Sequence, residues 1–143
     1  MRALGKVAGV LGLPAKAGGR SPFALISRIE DGLPIGALER VTELLAPGDT
    51  QFKYRLVPKA TYERRKKAAR RLSSEEGTRL ARLARVWSLA HEAWGSKEAA
   101  REFLFRPHPM IEDKRPIDVV IQNEFGSEVV VDILGRLKYG SAA

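Results

Sequence analysis

Apolar positions along this chain recur at threes and fours, and that period predicts helices almost from end to end. In the opening arm Leu4, Val7 and Leu11 share one helix face. After the punctuation Gly18-Gly19-Arg20-Ser21-Pro22, the residues Phe23, Ile26 and Ile29 mark a helix that stops at Asp31-Gly32. Pro34 opens the next, with Leu38, Val41, Leu44 and Leu45 as its apolar stripe and Pro47-Gly48 as its stop. A segment DTQFKYRL is then expected to make about two turns, with Asp49 or Thr50 as N-cap and Phe52 and Leu56 facing inward. Val57-Pro58 interrupts it, and a helix is expected over KATYERRKKAARR. Short helix, tight break and basic helix together have the outline of a helix-turn-helix.

The second half follows the same period. Ser73 and Glu76 have the spacing of a capping box, ahead of a long helix to about Trp94 with Leu80, Leu83, Ala84, Trp87, Ala90, His91 and Trp94 as its stripe. Gly95 closes it, and Ser96 caps a shorter helix that buries Ala99, Ala100, Phe103 and Leu104 before the RPHP turn. Pro116 starts a further helix with Ile117, Val120 and Ile121 inward, and Gly126-Ser127 leads into the last. In EVVVDILGRLKYG the three valines favour a strand, but Val130, Ile133, Leu134 and Leu137 recur at helical spacing and no second strand offers itself for pairing. A helix is therefore expected there, and the fold class is all-α. The predicted organisation is an arm over 1–22, a helix-turn-helix-like DNA-binding and dimerisation domain over 23–72, and a small helical domain over 73–143.

Composition narrows the chemistry. The chain of 143 residues has no Cys, which removes thiolate catalysis, iron–sulfur clusters and zinc ribbons. Its two histidines, His91 and His108, lie outside any HExxH spacing, and P-loop, GxGxxG and GxSxG motifs are missing. Glu75-Glu76 and Glu112-Asp113 fall in a cap and a turn, where acidic residues ordinarily serve structure. The reading is a protein without enzymatic activity, metal or cofactor. The opening stretch resembles a secretory leader in outline, but Val7 to Pro14 is short and broken by Gly9, Gly12 and Pro14. No segment approaches the roughly 18 apolar residues of a membrane span, so a cytoplasmic location without membrane attachment is expected.

The net charge of +8 is unevenly placed: residues 1–72 carry 15 Lys plus Arg and 6 Asp plus Glu, a net +9, whereas 73–143 carry a net −1. A basic half beside a neutral one implies two surfaces with two kinds of partner. If the basic helix is a recognition helix, Lys59, Thr61, Tyr62 or Arg65 should read base edges and Arg70 and Arg71 reach the backbone, with Arg64 and Lys66 completing the candidate DNA-binding set. The ordinary alternative is a solvated face. At the other end Gly135, Arg136, Leu137, Lys138, Tyr139 and Gly140 form a basic, aromatic terminus, which is either a helix end with cations suited to its dipole or an anchor for another protein's pocket.

Several dispersed motifs sharpen this. RLSSEEGTRLARLARVWSLAHEAWGSKEAAREFL, RPHPMIEDKRPIDVV and VVVDILGRLKYG resemble, in that order, the toxin-binding domain of the antitoxin Xre/MbcA/ParS family, and VPKATYERRKK resembles that family's helix-turn-helix upstream. The departures are Gly77-Thr78 where the family usually has Ser-Asp, Glu112-Asp113 in a turn where it favours glycines, and Leu56 where it usually has Gly. The pattern Leu134-Gly135-Arg136-Leu137 with Gly140 is retained. The resemblance implies a type II antitoxin whose partner is a RES-domain toxin, an NAD-consuming enzyme or ADP-ribosyltransferase. It further implies repression of the antitoxin's own operon through operator DNA; a homodimer within a hetero-oligomeric complex is expected because helix-turn-helix repressors read two half-sites. Leu134, Gly135, Arg136, Leu137, Lys138, Tyr139 and Gly140 would then cover the toxin's NAD pocket. Arg136 or Lys138 would pair with an acidic group there, while Leu137 and Tyr139 fill the dinucleotide's volume. The alternative is a helix-turn-helix transcriptional regulator without a toxin partner.

Overall fold

Helices supply every regular element longer than a bridge among the described residues of the computed structural model, which are 2–14 and 22–139, with side chains from residue 6 onward. The fold is all-α, with helices α1 (Arg2–Val10), α2 (Pro22–Asp31), α3 (Ile35–Leu45), α4 (Lys59–Lys67), α5 (Ser74–Trp94), α6 (Lys97–Phe105), α7 (Pro116–Gln122) and α8 (Glu124–Tyr139). Short 3₁₀ turns lie at Phe52–Arg55 and Pro109–Ile111. The arm's punctuation at 18–21, the side chain of Leu4 and residue Gly140 lie outside the described residues.

The chain divides into two compact units, 1–84 and 85–143, and this division falls within α5. In the first unit the core is built from Val7 and Leu11 of the arm, Leu25 of α2, Leu38, Val41 and Leu45 of α3, and Leu80, Leu83 and Ala84 of α5. The apolar stripe read for α3 is thus its buried face, although Leu44 is only half-buried and Thr42 takes its place with its hydroxyl donated to the Leu38 carbonyl at 2.9 Å. Asp49 closes the following turn as an acceptor for the amides of Gln51 and Phe52 at 2.9 and 3.1 Å. The segment after it makes one 3₁₀ turn instead of two α-turns, because the amides of Leu56 and Val57 both converge on the Lys53 carbonyl. Phe52 and Leu56 are buried as expected.

Two of the departures have local physical reasons. Leu56 sits at φ −97° and ψ −39°, an ordinary right-handed conformation that needs no glycine, and its carbonyl accepts the Arg79 guanidinium at 3.1 Å. Gly77 lies buried in the first turn of α5, where a Cβ would stand 3.3 Å from Ile29 Cγ2 and 3.5 Å from Leu33 Cδ1. The helix propensity that glycine forfeits there allows α5 to approach α2 closely. The capping box forms in full: Glu76 accepts the Ser73 amide at 2.8 Å, and the Ser73 hydroxyl accepts the Glu76 amide at 3.2 Å.

In the second unit, Val86, Trp87 and Ala90 of α5 join Ala100, Phe103 and Leu104 of α6, Ile117 and Val120 of α7, and Val130, Ile133 and Leu134 of α8 in one core. Gly95 ends α5 at φ +82°, and the Ser96 hydroxyl caps α6 by accepting the Ala99 amide at 3.1 Å. The valine-rich segment is helical, and α8 begins at Glu124, earlier than expected, because Asn123 caps it by accepting the Gly126 amide at 2.7 Å. Gly126 is therefore inside the helix. A Cβ on it would lie 2.3 Å from the Val119 carbonyl oxygen, so glycine is what lets α8 pack against α7. Glu112 and Asp113 take left-handed conformations at φ 58° and 61° in the turn after Pro109–Ile111.

Candidate DNA and protein interfaces

The basic helix is shorter than its composition suggests. It ends at Lys67, because Ala69 adopts φ 52° and the Arg70 amide bonds back to the Arg65 carbonyl at 2.8 Å, with Ala69 to Lys66 at 3.3 Å, in the pattern of a Schellman stop. Arg70 and Arg71 consequently leave the helix, and Arg71 donates to the Gly32 carbonyl at 3.1 Å.

Tyr62 decides which face of α4 turns inward. It is the one buried residue of that helix, only 4% exposed, and its hydroxyl donates to the Glu39 carboxylate of α3. Tyr54 meets it edge-on at 5.9 Å, and the Lys53 ammonium lies 4.5 Å from its ring centre. With Tyr62 inward, Arg65 and Lys66, three and four positions on, turn the same way. Lys66 pairs with Glu39 at 2.6 Å, and Arg65 pairs with the capping-box carboxylate of Glu76. Hydrogen bonds from Lys66 and then Tyr62 hold the Glu39 carboxyl below the ordinary carboxylate value. Burial pushes Glu76 the other way, but donors from Ser73 and Arg65 outweigh it and the carboxyl is also depressed.

Of the residues proposed to meet DNA, Tyr62 is thus a buried anchor, and Arg65 and Lys66 are engaged within their own unit. Lys59 and Arg64 are exposed, Thr61 is half-buried, and the Lys59 ammonium lies 5.8 Å from the Tyr54 ring centre. The outward face of α4 is Lys59, Ala60, Glu63, Arg64 and Lys67. Sequence reasoning passed over Lys67 and Glu63, although the placement of a lone large apolar residue in a basic helix was enough to orient it.

The terminal cluster sorts in the same way. Leu134 is 1% exposed and belongs to the core of its unit, so it is not presented to a partner. Gly135 is half-buried. Lys138 pairs with Glu92 of α5, which raises its ammonium above the ordinary lysine value. Arg136 reaches back to Asp132 at 2.7 Å, but both side chains are mostly exposed. Leu137 is 45% and Tyr139 77% exposed.

A second group, missed in the sequence, lies on the same helix. Phe125 is 85% and Val129 47% exposed. Phe125, Val129, Asp132, Arg136 and Tyr139 are spaced four, three, four and three, which places them on one outward stripe along the whole of α8. Opposite the inward set, Val130, Ile133 and Leu134, the helix thus carries a second, partly apolar face.

The histidines are absorbed by packing: His91 stacks on Trp87 at 5.8 Å, and His108 Nε2 lies 2.9 Å from the Phe103 carbonyl oxygen. Among the described residues there is no group of acidic or imidazole side chains fit to hold a metal, and no helix is long and apolar enough to cross a membrane.

Comparison with known families gives two adjacent matches. Residues 24–85 match the model of the antitoxin Xre-like helix-turn-helix domain. Residues 89–140 match that of the antitoxin Xre/MbcA/ParS C-terminal toxin-binding domain. No curated protein matches the chain. The boundary between the two matches falls within α5, as does the division between the compact units.

Proposed function

The chain belongs to the antitoxin Xre/MbcA/ParS family, and from that premise we propose that it neutralises a RES-domain, NAD-consuming toxin by seating the outward stripe of α8 and the helix end in the toxin's NAD site. The observation that carries this reading is the stripe itself. Phe125, Val129 and Tyr139 leave large apolar surface in water on a helix whose other face is well packed, within the region that matches a toxin-binding domain.

The inhibition needs no chemistry from the antitoxin. A site that cleaves the glycosyl bond of NAD must supply donors for the pyrophosphate and an acidic group for the developing positive charge. Arg136 can give up Asp132 for such an acid at little cost, since exposed pairs of this kind contribute about 0–1 kcal/mol. Tyr139 and Leu137 then occupy the dinucleotide's volume. Lys138 acts on its own unit instead, because its bond to Glu92 holds the end of α8 against α5.

The first unit serves the gene's own control in this reading. Lys59, Arg64 and Lys67 face operator phosphates and base edges, and two copies read two half-sites. Co-expression of the untagged chain with a tagged RES-domain toxin, followed by purification and an assay of NAD turnover, tests the proposal. Retention of the antitoxin with suppressed turnover is the expected result. A chain that binds DNA but is never retained is a regulator without a toxin partner.

A further inference from the structure

Beside the start of α3 lies a cleft of about 410 Å³, lined by Pro34, Gly36, Arg65, Lys66, Arg70 and Arg71 among others and apart from the outward face of α4. We propose that this cleft binds a small phosphoryl anion of the pyrophosphate or nucleoside diphosphate class. The proposal does not rest on the toxin or DNA readings.

Four cations line it, of which Arg65, Lys66 and Arg71 are already bonded to Glu76, Glu39 and the Gly32 carbonyl, and Glu39 is the one acidic residue of the lining. The turn at Ala69 is what brings Arg70 and Arg71 to it, by ending α4 early and folding the chain back toward Gly32. The cleft is open to solvent and its volume is large enough to admit a small anion. The start of α3 adds to the same field: its N-cap is Pro34, no side chain caps it, and no acidic residue occupies its first turn. The amides of Ile35 and Gly36 therefore lack intrahelical acceptors, and nothing stands within 4 Å of the Cβ position of Gly36 to bar an approaching group.

Geometry separates this anion from a DNA backbone phosphate. The cleft takes the side of α4 that carries Arg65 and Lys66, whereas Lys59, Glu63, Arg64 and Lys67 form the outward side. A duplex lying on the outward side leaves the cleft unfilled. Arg65 and Lys66 also hold Glu76 and Glu39, so an anion in the cleft competes for the bonds that fix α4. Occupancy is thereby coupled to the anchoring of the basic helix.

Calorimetric titration of the full chain with inorganic pyrophosphate at physiological ionic strength tests this. One saturable site per chain is expected, weakened by at least about tenfold in Gly36→Asp, whose carboxylate would occupy the start of α3 itself, and in Arg70→Gln. Gly36→Asp adds a residue of better helix propensity in open space, so its thermal melt should not fall and lost binding is not lost folding. Lys59→Ala with Arg64→Ala should leave the affinity unchanged. Absence of saturable binding, wild-type affinity in Gly36→Asp, or an equal loss in the outward-face variant would each overturn the proposal. So would a duplex whose affinity falls in Gly36→Asp while pyrophosphate does not bind, which would assign the cleft to a backbone phosphate.

Discussion

The two helices that carry the candidate interfaces are held in opposite ways. Helix α4 buries one side chain, Tyr62, and is fixed to its unit by polar bonds: Tyr62 and Lys66 to Glu39, Arg65 to Glu76. Helix α8 buries Gly126, Ser127, Val130, Ile133 and Leu134, and two exposed or half-exposed ion pairs, Arg85 to Glu128 and Lys138 to Glu92, add to that packing against α5. A helix anchored by charge spends its cations on anchoring, so its basic composition overstates what remains for a ligand. A helix anchored by apolar packing leaves its outward side chains free, whatever they are. The same contrast says that acid should loosen the polar anchor of α4, whereas the apolar residues that seat α8 do not titrate.

The contrast breaks most visibly at Gly126. Gly126→Ala pushes a methyl group into the Val119 backbone, and overpacking of this kind costs about 3 kcal/mol. Urea unfolding should show that loss, together with failure to hold the toxin. Next comes the outward stripe: Phe125→Ala with Arg136→Ala and Tyr139→Ala should weaken toxin binding by about 2 kcal/mol or more, roughly 30-fold, as for hot-spot residues. Its melting temperature should stay close to that of the parent, because all three side chains are exposed.

On α4 the effects are smaller and depend on pH. Glu39 and Glu76 have carboxyls depressed below the ordinary 4.5, so the unfolded chain takes up protons first. Their contribution is complete above pH 4.5 and is lost as pH falls through the lower folded values. Stability measured against pH should therefore decline on acidification below 4.5, and Glu39→Gln with Glu76→Gln should flatten that decline. Tyr62→Phe removes one donor from Glu39 and should cost about 1 kcal/mol by thermal melting. For DNA, Lys59→Ala, Arg64→Ala and Lys67→Ala should each lower the slope of log affinity against log salt by about 0.9. The smallest effect is expected in the turn: Glu112→Gly relieves a left-handed conformation, but the glycine's added freedom in the unfolded chain offsets much of that, so the second unit should gain about 0.5 kcal/mol.

Much of this architecture was legible in the sequence. The inward stripes of α3, α5, α6 and α7, the Ser73-Glu76 box and the Ser96 cap follow from spacing and local chemistry, and they stand largely where that spacing puts them, although Leu44 is half-buried and Trp94 is exposed, as are Phe23 and Ile26 of the stripe read for α2. The end of α4 was not legible, since a left-handed alanine carries no composition signal and KKAARR reads as continuous helix. Nor was the pairing of Arg65 and Lys66, because their acidic partners lie 11 and 27 residues away and only the fold brings them together. The stripe on α8 was half legible. Phe125 and Val129 are plain in the sequence, but their exposure depends on Gly126 turning the opposite side toward α7.

The central claim is that α8 disables the toxin and α4 meets DNA, each without the other. NAD turnover by the co-purified RES-domain toxin tests it most directly, measured with the parent, with the Phe125→Ala, Arg136→Ala, Tyr139→Ala variant, and with the Lys59→Ala, Arg64→Ala, Lys67→Ala variant. The account predicts that turnover returns only with the α8 variant, which keeps its affinity for operator DNA. Full inhibition by that variant, or release of the toxin by the α4 variant, would contradict it.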